Sequence, residues 1–119
     1  MTHAEFVAKS FATRTAAHTL HLLSDSYAQH IALGEFYDAL LDKTDEYAEV
    51  AMGIHGQFES IPFLRAPTDS PVALLEAYER LVNDQLDATD TTRDLSLNNI
   101  LCELQGLTAR TLYKLKNLK

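Results

Sequence analysis

The chain has 119 residues, of which 46% are hydrophobic and 23% charged, with only 4 Gly and 3 Pro. That balance predicts one globular domain of long, uninterrupted elements. The net charge of −7 comes from 17 acidic against 10 basic side chains. Such a surface repels phosphate backbones and disfavours nucleic acid as a partner. A single cysteine excludes an intrachain disulfide, the first residues lack the build of a signal peptide, and no run approaches membrane-spanning length. The expectation is a cytoplasmic protein with no membrane partner.

A first helix is predicted over residues 2–23. Val7, Phe11, Arg14, His18 and His21 recur at spacings of four and three and so share one face. Ser24, Asp25 and Ser26 break the pattern and can cap the next helix. That second helix runs from Tyr27 to Met52 and is expected to stop at Gly53. Its apolar face is Leu33, Phe36, Tyr37, Leu40, Leu41, Thr44, Tyr47, Ala48 and Ala51, while Glu35, Asp38, Asp42, Asp45, Glu46 and Glu49 crowd the opposite arc. Most of that arc reads as a solvated face. Asp45 and Glu49 differ, because they lie one turn apart at the border of the apolar face. There they can chelate a cation between this bundle and a neighbour, and without one they repel each other.

Residues 53–70 form the only long irregular stretch, and Phe58, Ile61, Phe63 and Leu64 predict that it packs against the body. His55, between glycines, is expected to face solvent. Ser70-Pro71 opens a third helix with the stripe Val72, Leu75, Tyr78, Leu81, Val82 and Leu86. Thr91 and Asp94 stand in capping-box spacing ahead of a fourth helix. Its buried line is Leu97, Leu101, Leu104, Thr108, Thr111 and Leu115, with Cys102 expected to be buried and inert. A connection as long as 53–70 inside a compact domain is explained by a crossover. The predicted fold is therefore all-α, a ferritin-like four-helix bundle with a long crossover between helices 2 and 3.

Imidazoles and carboxylates form a ligand set that suits iron, manganese or zinc. Gly-rich phosphate loops, CxxC pairs, HExxH and GxSxG are missing, and no glutamate precedes a histidine by three. The layout from His30 onward, HIALGEFYDALLDKTDEYAE, instead resembles the Dps family of mini-ferritins. That family has a histidine late in the first helix and a second at the start of the next. An aspartate comes fifteen residues after the second histidine, and a glutamate four further on. Here those positions are His30, Asp45 and Glu49. For the first histidine, the family spacing of twelve lands on His18, whereas its closeness to the turn favours His21; the usual tryptophan after it is Leu22. The terminal ELQGLTARTLYKL also looks like the family's last helix. The chain is shorter than typical members and lacks their Lys-rich tail, like small acidic relatives in bacterial and phage genomes.

The resemblance implies oxidation of Fe(II) to Fe(III), by peroxide or oxygen, at a site shared across a dimer interface. His21 (or His18) and His30 would come from one subunit and Asp45 and Glu49 from the other, with manganese or zinc as alternative occupants. It also implies a homo-oligomer, with a dimer as the site-forming unit and a dodecameric shell as the family habit. The competing expectation is a non-enzymatic oligomeric bundle, an interaction or virion-associated protein that keeps the fold without ferroxidase activity.

Overall fold

The computed structural model describes all 119 residues as four α-helices and no strand: α1 (His3–Leu23), α2 (Tyr27–His55), α3 (Pro71–Ala88) and α4 (Leu95–Asn117). Local chemistry sets most of the ends. Thr2 caps α1 in a reciprocal capping box with Glu5, satisfying two main-chain N–H groups that have no helical partner. The Ser26 and Ser70 hydroxyls accept from the third N–H of α2 and α3, and Pro71 occupies the first turn of α3, where its missing N–H costs nothing. Lys114 and Lys116 sit in the last turn of α4, against the negative end of its dipole.

Two helix ends differ from the sequence expectation. Helix α2 runs through Gly53 and stops at Gly56, whose φ of 101° suits only a residue without a side chain. A glycine inside a helix costs only about 1 kcal/mol, which tertiary packing outweighs. The added turn carries His55. At α4, Asp94 is itself the N-cap and makes no capping bond with its side chain, so the Thr91–Asp94 capping box does not form.

Neighbouring helices pair antiparallel. His3 meets Tyr47 and His21 meets His30 across α1 and α2; Lys43 meets Glu103 and His55 meets Asp94 across α2 and α4. Likewise Ser10 bonds Tyr78 across α1 and α3, and Gln105 bonds Asn83 across α4 and α3. Between the helices lies one core cluster centred on Phe6, Leu33, Phe36, Leu40, Tyr47, Leu75, Tyr78, Leu101 and Leu104. Each such large side chain contributes about 1.5–3 kcal/mol through burial. The Tyr78 hydroxyl, fully buried, is satisfied by Ser10 at 2.8 Å.

Residues 57–69 make no main-chain hydrogen bond to other main-chain groups. They are held instead by Phe58 and Ala66, which pack on the core, while Ile61 and Leu64 are exposed at the rim of a cavity shared with Phe11 and Leu41. Phe63 is fully exposed, so the segment packs down only in part. Cys102 is also exposed, against expectation. It sits about 100° around the helix from Leu101, outside the Leu97–Leu101–Leu104 line. No helix is long and apolar enough to cross a membrane.

Candidate metal centre

At one end of the bundle the Ser24–Ser26 turn folds α2 back against α1. Ser24 Oγ ties the turn together, accepting from the Ser26 N–H at 3.1 Å and lying 2.7 Å from Gln29 Oε1. This brings His21, in the last turn of α1, against His30, in the first turns of α2. The two imidazoles stack at 3.7 Å between centroids and 17° between planes. Each Nδ1 lies on the other residue's main-chain carbonyl oxygen, His21 to His30 at 2.5 Å and His30 to His21 at 2.7 Å. A carbonyl only accepts, so both Nδ1 atoms carry the proton. In the neutral rings both Nε2 lone pairs are then free, which is the tautomer a metal ligand needs.

Gly34 makes room for the pair. A Cβ there would lie 2.9 Å from His21 Cε1, inside any tolerated contact. His18, the other candidate for first ligand, stacks instead on Tyr37 at 4.1 Å, with the Arg14 guanidinium 5.4 Å from the same ring. Of the two candidates for the first ligand, His21 is the one placed beside His30. Around them Leu22, Leu23 and Tyr27 are 68%, 74% and 80% exposed, an apolar skirt at the tip of the bundle.

Asp45 and Glu49 are exposed on α2 and make no hydrogen bond or ion pair. Fifteen and nineteen residues past His30, they stand about 22 and 28 Å along the helix from it. One chain therefore does not bring all four predicted ligands together. The other carboxylates of α2 sort by partner. Glu35 pairs with Lys114 at 2.9 Å and Glu46 with Lys43 at 3.6 Å, while Asp38 and Asp42 stay free in solvent.

The opposite end carries a cluster absent from the sequence expectation. His3, His55 and Asp94 each offer a ligand atom, all within 4.8 Å of one another. The His55 Nε2–H donates to Asp94 Oδ1 at 2.6 Å, and the His3 ring stacks on His55 at 5.0 Å. His3 Nδ1 contacts the buried Tyr47 hydroxyl at 2.8 Å, to which Gln85 Nε2 donates at 2.9 Å. Burial, helped by His55, lowers the His3 pKa against the opposing pull of Asp94. Burial pushes the Tyr47 hydroxyl up to about 12. His55 is exposed, as the sequence predicts, but it lies in the last turn of α2 rather than in a loop, and that turn delivers its ring to Asp94. The three residues are far apart in sequence, so no local spacing marks them.

A family model described as a family of unknown function (DUF5856) matches residues 21–115. The chain belongs to that family. The matched stretch opens on His21 and takes in His30, Asp45, Glu49, His55 and Asp94, with His3 and His18 outside it. Comparison with curated proteins and with solved structures finds no match.

Proposed function

We propose that this chain is a Dps-like, ferritin-like protein that takes up ferrous iron and oxidises it at a site completed by two copies, storing or detoxifying the ferric product. The observation that carries this reading is the reciprocal His21–His30 pair. Both Nδ1 atoms are committed to carbonyls, and two Nε2 lone pairs are left side by side at an exposed apolar tip. Structural histidines have no need to be fixed in that tautomer, whereas metal ligands do.

Two further features support it. Because every neighbouring pair is antiparallel, α2 and α3 run the same way, and a connection between them must travel the length of the bundle as a ferritin-like crossover does. Asp45 and Glu49 lie unpaired on the outer face of α2, where a partner's histidines would meet them in a two-fold arrangement. In that site His21 and His30 serve as neutral ligands, and Asp45 and Glu49 as hard anionic ligands that favour the ferric state. Two ferrous ions would each give one electron to a peroxide, which takes up two protons and leaves as two waters. Asp38 and Asp42, free of cation partners, are placed to draw ferrous ions along the outer face. A dodecameric shell in the cytoplasm accords with the same resemblance, and a free exposed Cys102 accords with a reducing compartment.

The alternative, a non-enzymatic oligomeric or virion-associated bundle, rests on the apolar skirt, which serves assembly with or without iron. Mixing separates the two. Alone, His30→Ala and Glu49→Ala chains should each fail to oxidise ferrous iron on adding peroxide after anaerobic loading, with helical content unchanged. Refolded together they should recover about a quarter of the parent rate, because each mixed dimer rebuilds one intact site of two. Oxidation unaffected by either substitution sinks the reading, and single losses without recovery exclude the shared site.

A further inference from the structure

We propose that His3, His55 and Asp94 form a second metal site, complete within one chain, that binds a divalent ion of the zinc class at the end of the bundle opposite His21 and His30. Two imidazoles and one carboxylate are a common ligand set for zinc, with a fourth position open to water.

Three features of the cluster, two of them at the Asp94 carboxylate, favour an ion over a plain hydrogen-bonded pair. First, Asp94 starts α4, where an aspartate side chain normally caps its own helix for about 1 kcal/mol. Its carboxylate declines that role and turns toward the histidines. Second, the Asp94 side chain is only 8% exposed, and its remaining contact is a long 3.4 Å bond from the Asp90 N–H. A carboxylate so buried costs several kcal/mol unless a cation compensates it. Third, Gln85 Oε1 is buried and without a partner. A half-turn of that amide, which exchanges the Nε2 donation for an Oε1 acceptor and leaves the amide N–H in the unpartnered place, lets Oε1 accept the Tyr47 proton. The Tyr47 oxygen then accepts from His3 Nδ1–H, and His3 Nε2 is left as a bare lone pair. Tyr47 and Gln85 thereby orient His3 as an outer ring of hydrogen bonds orients a metal-bound imidazole.

The distances need only small adjustment. Bonds of about 2.0–2.2 Å in a tetrahedral site put ligand atoms about 3.3 Å apart. The cluster already lies within 4.8 Å, and the His55–Asp94 contact of 2.6 Å opens to admit the ion as the proton leaves Nε2 for the ring's Nδ1, so that Nε2 has a lone pair to give. His55, at the helix end beside Gly56, has the freedom to make that shift.

The test uses Co2+ alone as a spectroscopic stand-in for zinc. The whole chain carries His30→Ala, so that the other end is silent. This protein should take up one Co2+ per chain with the visible ligand-field absorption of a low-coordinate site. Asp94→Asn keeps a hydrogen bond to His55 but loses the charge, and His3→Ala sits in the first turn, where loss of folding is least expected. Each should weaken binding at least about tenfold while circular dichroism stays unchanged, and Tyr47→Phe should weaken it less. Absence of ligand-field absorption in the His30→Ala chain overturns the proposal, as does equal Co2+ affinity in the His3→Ala derivative.

Discussion

The two ends of this bundle hold similar side chains in opposite states of completion. At the His21–His30 end, the rings are locked to main-chain carbonyls, their outward nitrogens are free, and the surrounding Leu22, Leu23 and Tyr27 are open to solvent. The His3–His55–Asp94 end has its carboxylate in the same chain, nearly buried, backed by Tyr47 and Gln85. One end leaves its free nitrogens beside exposed apolar side chains; the other has a carboxylate of the same chain against its histidines. The lesson is that the number of histidines at a site says less than where the balancing carboxylate comes from. A charge supplied from within ties ion binding to the fold of one chain, and a charge supplied from outside ties it to assembly.

That contrast can be broken most forcefully at the closed end. Tyr47→Phe removes the hydroxyl shared by His3 and Gln85, leaving buried polar groups unpaired, and should cost about 1–3 kcal/mol in denaturant unfolding. His21→Ala at the open end should cost less, since its ring is only partly buried in the folded chain and gives up less burial. Equal losses would remove the distinction.

Between the two ends, Tyr78 gives the waist its own pH signature. Complete burial holds its hydroxyl well above the ordinary value of 10, with Ser10 pulling the other way and Tyr47 the titratable neighbour. A raised folded pKa means the unfolded chain ionises first. Stability is therefore fully present below pH 10 and should fall above it, by about 1.4 kcal/mol per pH unit for this one group. Tyr78→Phe should flatten that slope in unfolding curves taken on either side of pH 10.

The smallest change in stability accompanies Gly34→Ala. Better helix propensity offers about 1 kcal/mol, offset by the Cβ that would press on His21. Net stability should move by less than about 1 kcal/mol. The His21 ring should nonetheless leave its stack on His30, seen as a shifted imidazole resonance, and ferrous oxidation should drop while Co2+ uptake at the closed end is untouched.

The four helices are legible in the sequence because their signals are local: Thr2 with Glu5, Ser26, Ser70-Pro71, and apolar positions repeating every three or four residues. The wrong stop at Gly53 shows the limit of local reading. Glycine's helix cost is small against burial of Ala51 and packing of Met52, so the helix continues to the glycine that must take a positive φ. That one missed turn hides His55, and with it the closed end. Asp94 is hidden for a related reason, since its position advertises a cap and only the tertiary structure turns it away. Cys102 misleads because apolar neighbours in sequence are not neighbours around a helix. His21 and His30 can be found because a short turn keeps them close in sequence, whereas the preference for His21 over His18 needs Gly34 and Tyr37 in place.

Helix α2 spans both ends as one unbroken rod of 29 residues, and the long axis of the molecule measures 43 Å. His30 and His55 are therefore fixed about 37 Å apart along a stiff axis. The protein carries its own ruler. Paramagnetic ions seated at the two ends should give one narrow distance fixed by α2 in pulsed dipolar spectroscopy, and the further distances from the second copy would measure how the copies are arranged.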